Sequence, residues 1–495
     1  MDLSRRAFVS SGTAAVAATA FPGRTLAAAN GWLTPAAMRA DLDLLLRAYE
    51  AVHPGLLRYL PPGGFGNHVE AAKRWAGRDR SLPEFFAMLA RLTASVRCGH
   101  SHPNPANQSR AAREALFSGR DRLPFSFRWI DERMIVTGSR QAEPVLPRGS
   151  EVLTIDGVSP PRMLKAMLPL ARADGGNDDK RIAQLGIAAR DRNAAFDMFR
   201  PMLFAARTDG TIQAEVREPD GRHRSVALAA LSEEQLRPAS PPGDAPMDWT
   251  FDIRSDGVGV LTMRDWVTYR STWDWRAYLD QVVDRLIDER ARGFVIDIRG
   301  NEGGTECGWH LLQRLIEREV EPPRFARMVR YRQVPADLVA PLDTWDPSFR
   351  DWGVAAVGPD ADGFYRLERL KEGEGRLTPR GRRYEGPVAV LIDASCSSAT
   401  FQFADAIQQA KLAALVGEGT GGNRRGINGG AYFFLRLPQT GLEVDLPIIG
   451  YFSQQPQPDA GVRPDRRVKV TRDDIAAGRD RQLQAALRAV GPTSI

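Results

Sequence analysis

The feature that most constrains the fold is an alternation of short apolar runs with helical patterns in the second half of the chain. The apolar runs are "GVGVLTM", "GFVIDI", "PVAVLID" and "AALVGE". Between the first two, Trp275, Leu279, Val282 and Leu286 fall on one face of a helix. Short, continuously apolar strands are typical of a sheet that helices cover on both faces. The sequence therefore predicts an α/β domain with a largely parallel sheet over residues 249–490.

The first part of the chain has helical periodicity. "TPAAMRADLDLLLRAYEAV" predicts a helix with Pro35 in its first turn, and "SLPEFFAMLARLTASV" predicts another that Ser81 caps. A chain of 495 residues is too long for one ordinary core, so more than one domain is expected. Residues 30–115 are predicted to form a helical N-terminal domain.

Between these two regions the periodicity shortens to that of strands. "RMIVTGS" and "SEVLTIDG" are strand-like, and a further pair is predicted to form a hairpin that turns at Asp220–Gly221. These patterns predict a β-rich domain over residues 116–235. The segment "LRPASPPGDAPMD", residues 236–248, is rich in proline and alanine and is the predicted linker.

The N-terminus has the layout of an export signal. In "SRRAFVSSGTAAVAATAFPGRTLAAA", Arg5 and Arg6 precede Phe8, a mildly apolar stretch and then small residues. This pattern predicts a twin-arginine signal over residues 1–29, with cleavage near Ala27–Ala29, and a folded product in the periplasm. The alternative is a simple helical tail. No later segment approaches about 18 apolar residues, so no stable membrane insertion is predicted.

Charge and cysteine usage exclude several other classes. The net charge is +6, but Lys and Arg are scattered and are not interleaved with aromatic residues, so no nucleic-acid partner is predicted. Cys98, Cys307 and Cys396 form neither a disulfide framework nor a metal-type spacing, and no H-E-x-x-H motif is present. We therefore predict no metal and no cofactor.

One strand-to-helix connection is crowded with potential nucleophiles. The stretch "LIDASCSSATFQFADA" follows an apolar strand and contains five of them: Ser395, Cys396, Ser397, Ser398 and Thr400. Active sites of open α/β sheets collect at the carboxyl ends of strands, where the helix dipole favours negative charge. The alternative is structural, because Ser397 or Ser398 would also serve as a helix cap.

A second connection supplies candidate anion-stabilising groups. In "FVIDIRGNEGG", Gly303 and Gly304 leave backbone N–H groups unshielded just before a helix, as an oxyanion hole requires. Glycines at such a place also serve simply to permit a tight turn. Phosphate binding is not predicted, because neither G-x-x-x-x-G-K-[ST] nor G-x-G-x-x-G is present.

The histidines provide the candidate base. "VRCGHSHPNP" places His100 and His102 in a loop rich in turn-forming residues after a helix. His53 is expected to pack or cap at a helix end, and His310 to be buried on the helix after the glycine loop. The other two histidines, His68 and His223, have polar neighbours and are expected at the surface.

These segments together resemble a known family. "GFVIDIRGNEGG", "PVAVLIDASCSSATFQFADAIQQAKLAALVGEGTGG" and "DAGVRPDRRVKV" occur in the order found in the C-terminal processing (tail-specific) serine peptidases. The resemblance implies a crotonase-like (ClpP-like) α/β core for residues 249–490. "LPRGSEVLTIDGVSP" resembles a strand pair of that family's PDZ-like domain, which would be residues 116–235. "RCGHSH" resembles the D-G-H-[TS] motif of the tricorn-like, retinoid-binding-protein-like branch.

The resemblance assigns roles to individual residues. The nucleophile falls on Ser398, and the oxyanion donors are the backbone N–H groups of Gly303 and Ala399. One branch activates the serine with a lysine in "G-E-x-T-x-G-K", but here "GEGTGGN" places Asn423 there. A neutral amide cannot accept the serine's proton, so the resemblance points to the other branch, in which His100 is the base.

Two departures from the family pattern bear on this site. Cys98 replaces the usual acidic residue before "GH", and no glutamate stands at the family's position before "G-V-x-P-D". Asp459 is the nearest carboxylate in sequence and is predicted to orient His100. Cys396 is a rival nucleophile, although a buried inert thiol is the simpler interpretation. A disulfide between Cys98 and Cys396 is a further hypothesis.

The sequence thus predicts an exported serine peptidase that cleaves peptides or unfolded protein tails through an acyl-enzyme. The PDZ-like region is expected to hold substrate by adding an extended peptide to a strand edge. The alternative is a catalytically degenerate relative that binds peptides in the periplasm. The sequence indicates no particular oligomeric state.

Overall fold

The computed structural model describes residues 31–189, 191, 193–204, 207–236, 247–269, 271–321, 325–368 and 376–491. The predicted export signal and most of the predicted linker lie outside these residues. Among the helices of the described ranges, none combines the length and the apolar character that a membrane-crossing segment needs.

The N-terminal part of the chain is mainly helical. Its elements are β1 (Trp32–Leu33), α1 (Pro35–Val52), α2 (Gly64–Trp75), β2 (Arg80–Ser81), α3 (Leu82–Ser95) and α4 (Arg110–Phe117). The Thr34 side chain caps α1, and Ser81 and Glu84 form a reciprocal capping box at the start of α3. The two predicted helices and the Ser81 cap are confirmed.

The middle part contains a five-stranded antiparallel sheet, here called the middle sheet, with three helices between its third and fourth strands. Its elements are β3 (Phe125–Ile130), β4 (Arg133–Ser139), β5 (Glu151–Ile155), α5 (Pro160–Met167), α6 (Asp178–Gln184), α7 (Ala195–Leu203), β6 (Thr211–Arg217) and β7 (His223–Ala229). The strands lie side by side in chain order. The hairpin of β6 and β7 confirms the predicted turn at Asp220–Gly221.

The C-terminal part alternates strands with helices and then adds longer strands. Its first elements are β8 (Trp249–Ile253), β9 (Val258–Met263), α8 (Trp275–Asp288), β10 (Gly293–Asp297), α9 (Cys307–Leu312), β11 (Phe325–Val329), β12 (Leu342–Asp343), β13 (Ala356–Val357) and β14 (Tyr365–Leu367). They are followed by β15 (Val388–Ile392), α10 (Ala399–Ala410), β16 (Ala414–Gly417), β17 (Asn428–Arg436), β18 (Glu443–Ser453), β19 (Arg466–Arg467), α11 (Arg472–Ala476) and α12 (Arg481–Val490).

Six of these strands form the parallel sheet, in the order β19-β16-β15-β10-β9-β8. Every neighbouring pair is parallel except β8 with β9. Alternate residues of β10 enter two different cores: Phe294 and Ile296 pack with α8, α9 and α10, whereas Val295 packs with α12. Helices thus cover both faces, and the predicted, largely parallel α/β sheet is confirmed.

A second six-stranded sheet, the antiparallel sheet, was not predicted. Its order is β12-β17-β18-β11-β14-β13, and each neighbouring pair is antiparallel. In the described residues the fold therefore combines a largely parallel sheet, two large antiparallel sheets and the two-stranded β1-β2 sheet with helices. The loop that carries His100 reaches this sheet, because the Asp445 N–H in β18 donates to the His102 carbonyl at 2.9 Å.

The N-terminal helices share a core with the antiparallel sheet. Leu42 of α1, Phe127 of the middle sheet and Phe433 of β17 belong to one cluster of buried side chains. The buried Asp41 carboxylate accepts the N–H of Thr440, at 2.8 Å, in the turn between β17 and β18. The N-terminal helices thus hold the sheet against which the His100 loop packs.

Candidate functional site

Ser398 occupies the connection between β15 and α10, at the end of a buried parallel strand. Its backbone has φ 54° and ψ −124°, a conformation that costs a residue with a side chain on the order of 1–3 kcal/mol. The side chain makes no capping hydrogen bond to the helix. It is half-buried. The turn therefore holds a hydroxyl at the start of a helix without using it structurally, as a nucleophile requires.

The neighbouring hydroxyls have structural partners. Ser397 Oγ donates to the Glu302 carbonyl at 3.3 Å, so the predicted capping role of Ser397 is wrong. Thr400 Oγ1 donates to the Asn301 and Ser397 carbonyls, both at 2.8 Å. These bonds fasten the loop after β15 to the loop after β10, because the two parallel strands end at the same edge of the sheet.

Cys98, Cys307 and Cys396 are buried and form no disulfide with one another. The hypothesis of a disulfide between Cys98 and Cys396 is therefore wrong. Cys396 Sγ donates to the Ile298 carbonyl at 3.2 Å, and burial raises the pKa of this thiol well above its usual range. A thiol held in this state is a poor nucleophile, which agrees with the simpler interpretation of Cys396 as an inert buried residue.

Gly303 lies directly against the nucleophile candidate. A Cβ at this position would be 2.9 Å from Ser398 Cβ and 2.8 Å from the Ala399 nitrogen, so a side chain has no room there. Its φ of 94° also favours glycine. Ala399 is the first residue of α10, where a backbone N–H has no acceptor within the helix. The two predicted oxyanion donors and Ser398 are thus brought together.

The Gly303 N–H is engaged by a neighbouring side chain. It donates to Asn301 Oδ1 at 2.9 Å, while Asn301 Nδ2 donates to the Met263 carbonyl at 2.9 Å. Asn301 is fully buried. Access of a substrate oxyanion to this donor therefore requires the Asn301 amide to share or release it. The sequence motif contained Asn301, but its role depends on the loop geometry.

His100 lies in the loop after α3, half-buried and facing β17 of the antiparallel sheet. Its ring centroid is 6.3 Å from that of Tyr432, and its Nδ1 is a buried atom without a hydrogen-bond partner in the described residues. Burial, followed by the nearby charges of Arg172 and Lys180, lowers the pKa of His100 to about 3. The imidazole is therefore neutral near pH 7, the form that accepts a proton.

A carboxylate and a thiol lie beside the His100 ring. Asp174 and Cys98 each place a donor atom within 4.8 Å of a His100 ring nitrogen and of each other. Asp174 Oδ1 accepts the Gly99 N–H at 2.9 Å and so fixes the loop that presents the histidine. Sequence reasoning missed Asp174, which stands in "ARADGGN", 74 positions after His100, with no local pattern to mark it.

Asp459, the predicted orienting acid, has other partners. Its Oδ1 accepts from Asn423 Nδ2 at 2.7 Å and from the Gly176 N–H at 2.8 Å. Asn423 also donates to the Asp174 carbonyl at 3.2 Å. The described hydrogen bonds thus connect Asp459 to the segment around Asp174, and Asp174 is the carboxylate that lies beside the ring.

A group of ion pairs, the Glu302 network, connects the loops of the site. Lys180 Nζ lies 2.7 Å from Glu302 Oε1 and donates to the Ser395 carbonyl at 3.1 Å. Arg172 lies 3.3 Å from Glu302 Oε2 and also donates to the Gly99 carbonyl. Although partial desolvation opposes ionisation, the two cations, Lys180 and then Arg172, hold the pKa of Glu302 at about 2. The network places the Ser398 and His100 loops on either side of one carboxylate.

The comparisons with known proteins bear on the family and the fold. Residues 257–468 match the model of peptidase family S41. No curated protein matches the chain. The crystal structure of a serine-to-alanine mutant of CPAF has a TM-score of 0.63 at 14% identity and covers 93% of this chain and 99% of that chain. Mature CPAF complexed with lactacystin has a TM-score of 0.59 at 15% identity, covering 89% and 95%. At these identities the likeness shows a shared fold.

Proposed function

We propose that the chain is a serine peptidase that cleaves peptides or unfolded protein tails through Ser398, because its residues 257–468 match the model of peptidase family S41. The observation that carries the proposal is the backbone of Ser398. A strained, left-handed turn places an uncommitted hydroxyl beside the Ala399 N–H, at the end of a buried parallel strand. Strain of this kind is a feature of nucleophiles at strand-to-helix turns.

The proposed reaction proceeds through an acyl-enzyme. A ring nitrogen of His100 takes the proton of Ser398 Oγ as this oxygen bonds to the substrate carbonyl carbon. The protonated imidazole then donates that proton to the departing amine as the peptide bond breaks. A water molecule, deprotonated by His100 in turn, attacks the ester and releases the acid product and the Ser398 hydroxyl.

The oxyanion of the tetrahedral intermediate is stabilised by backbone donors. The Ala399 N–H lies at the positive end of the α10 dipole and has no acceptor within the helix. The Gly303 N–H joins it when the Asn301 amide turns aside or shares the hydrogen. Substrate binding in this mechanism therefore includes a small rearrangement of the loop after β10.

Asp174 is proposed as the positioning residue for His100. Its carboxylate lies within 4.8 Å of the ring and is fixed by the Gly99 N–H. Burial raises the pKa of Asp174 to about 6, so the group is ionised near neutral pH. An ionised carboxylate beside the ring would stabilise the imidazolium that forms during attack and hold one tautomer.

The middle sheet has an exposed edge that could take up a polymeric substrate. The middle sheet ends at β7, an edge strand whose residues are mostly exposed, and we propose that an extended segment of substrate pairs there. Residues 116–235 would then hold the chain while residues 249–490 cleave it. Residues 1–29 are proposed to direct the protein to the periplasm as a twin-arginine signal.

A second candidate function is peptide binding without cleavage. Two observations favour it: the Gly303 N–H is bonded to Asn301, and burial lowers the pKa of His100 to about 3, which makes it a weak base. Moreover, within the described residues no hydrogen bond joins Ser398 Oγ to His100.

Labelling with a serine-reactive fluorophosphonate separates the two functions. The peptidase proposal predicts labelling of the wild type and its loss in Ser398→Ala and His100→Ala. Ser397→Ala is the matched control, because its hydroxyl bonds to the Glu302 carbonyl and it should keep the label. Absence of labelling in all four proteins would contradict the peptidase proposal and support a binding protein.

A further inference from the structure

Cys98, His100 and Asp174 form a cluster with the donor types of a transition-metal site. A thiol sulfur, an imidazole nitrogen and a carboxylate oxygen lie within 4.8 Å of one another, although Asp174 is far from the other two in sequence. Tetrahedral zinc with bonds of about 2.0–2.3 Å holds its ligand atoms about 3.3–3.8 Å apart. Shifts of about 1 Å, within the reach of side-chain rotation, would bring the three donors to that spacing.

Two buried polar atoms at the cluster also lack hydrogen-bond partners in the described residues. His100 Nδ1 and Asn428 Oδ1 are buried atoms with no hydrogen-bond partner in the described residues. Asn428 is 2% exposed, and its Nδ2 donates to Cys98 Sγ at 3.3 Å, so its amide lies against the cluster. A buried polar atom without a partner destabilises a fold, so a cation bonded to these atoms would stabilise the folded state.

We propose that Cys98, His100 and Asp174 bind a zinc ion, and that the Asn428 amide supplies the fourth ligand by turning its Oδ1 toward the metal. Binding releases one proton, because the Cys98 thiol becomes a thiolate as its sulfur bonds to the metal. The thiolate and the Asp174 carboxylate together cancel the two charges of Zn²⁺, so the buried site carries no net charge. His100 is only half-buried, which gives the ion a route from solvent.

Zinc in this site would inhibit the proposed peptidase, a consequence that rests on the function proposed above. When one His100 nitrogen bonds to the metal, the other carries the ring hydrogen, so neither can take the proton of Ser398. Removing the metal would restore the base. The cysteine that replaces the acidic residue before "GH" would thus make catalysis sensitive to zinc.

Direct metal binding tests the site without relying on activity. Protein freed of metal with a chelator is titrated with Zn²⁺ against a chromophoric chelator, and X-ray absorption identifies the ligands. We expect one zinc per chain with a sulfur ligand at about 2.3 Å. Cys98→Ala and Asp174→Asn should each weaken binding at least ~100-fold. Cys307→Ala, which removes another buried thiol, should leave the affinity unchanged.

The outcomes separate this proposal from the proposed function. Zinc bound without a sulfur ligand, or with full affinity in Cys98→Ala, would overturn the site. If a variant does not fold, Co²⁺ added to the wild type still gives a thiolate-to-cobalt absorption band when Cys98 is a ligand, and its absence is equally decisive. Zinc bound through these residues without loss of peptide cleavage would support the site and refute His100 as the base.

Discussion

At Ser398 the backbone adopts a conformation that few residues other than glycine tolerate. The strain is retained because the loop is fixed on both sides, by the Thr400 hydroxyl on the Asn301 carbonyl and by the Ser397 hydroxyl on the Glu302 carbonyl. The Ser398 hydroxyl itself is left out of these bonds. The proposed reaction depends on a few fixed atoms, so single substitutions there should change the rate of catalysis more than the stability of the fold.

Gly303→Ala should remove activity. Its new Cβ would lie 2.6 Å from the Ser397 carbonyl oxygen and 2.9 Å from Ser398 Cβ, so the proposed nucleophile and the proposed oxyanion donors must move apart. Loss of an oxyanion donor typically costs about 10²–10³-fold in kcat, which kinetic assays on a peptide substrate would measure. Gly300→Ala is the control: Gly300 also has a positive φ, but nothing lies within 4 Å of its Cβ position. Equal losses in both variants would contradict the proposed geometry.

His53 should make the folded state sensitive to acid. It is fully buried, and desolvation, with a smaller effect of Arg58, lowers its pKa to about 3. The unfolded chain binds a proton below about pH 6.5, whereas the folded chain does so only near pH 3, so stability falls as the pH drops through this window. His53→Asn keeps an acceptor for the Gly55 N–H but removes the titration.

Urea unfolding at a series of pH values measures this effect. Between pH 6.5 and 4 the free energy of unfolding of the wild type should fall by up to about 1.4 kcal/mol per pH unit more than that of His53→Asn. His68→Asn, at an exposed position of α2, should follow the wild type. Parallel curves for the wild type and His53→Asn would show that His53 is not held neutral.

At the scale of elements, the site depends on helix α6 docking onto the loops of the parallel sheet. Lys180 of α6 is 2% exposed, whereas the side chain of its partner Glu302 is 46% exposed. A buried cation without its partner costs more than a half-exposed carboxylate that water still solvates. The two members of the pair are therefore expected to respond differently to substitution.

Glu302→Gln should destabilise the protein more than Lys180→Met. We expect losses of about 1–3 kcal/mol for the glutamine, which leaves the Lys180 charge buried, and less than ~1 kcal/mol for the methionine. Denaturant unfolding monitored by tryptophan fluorescence gives both values. Arg285→Met, in the exposed pair of Arg285 with Glu289, should change stability little. A larger loss for Lys180→Met would mean that Glu302 is the group that requires pairing.

Local sequence patterns predicted the helices and strands whose formation depends on neighbouring residues. The runs of β10 and β15 are apolar throughout, and the glycines and serines after them mark the loops, while the family resemblance selected Ser398 among five candidates. The antiparallel sheet was missed, because β11 finds its partner β18 more than a hundred residues later. Asp174 was missed for the same reason: only the folded chain places its segment against the loop of His100.

At the scale of the whole molecule, the three regions of the sequence do not each have a hydrophobic core of their own. One core joins the N-terminal helices, the middle sheet and the antiparallel sheet, while separate cores lie on the two faces of the parallel sheet. The loop of His100 thus packs against the first core, and the turn of Ser398 packs against the others. Their relative position depends on both, and so substitutions in either core should reach the site.

Leu42→Ala and Ile296→Ala should loosen different parts of the molecule. Each removes a fully buried side chain and should cost about 2–5 kcal/mol, through lost burial and the cavity left behind. Because a protein opens in cooperative units, each substitution should destabilise mainly the elements that share its hydrophobic core. Leu42→Ala should lower the hydrogen-exchange protection of the β17 amides, far away in sequence, more than that of the β10 amides.

The reciprocal variant provides the control for this experiment. Ile296→Ala should lower the protection of β10 and β15 more than that of β17, because Ile296 belongs to the core between the parallel sheet and helices α8, α9 and α10. Exchange measured by mass spectrometry on peptides from each strand resolves the two patterns. If Leu42→Ala left β17 as protected as in the wild type, the N-terminal helices would be an independent unit, and the support they give to the His100 loop through this sheet would be refuted.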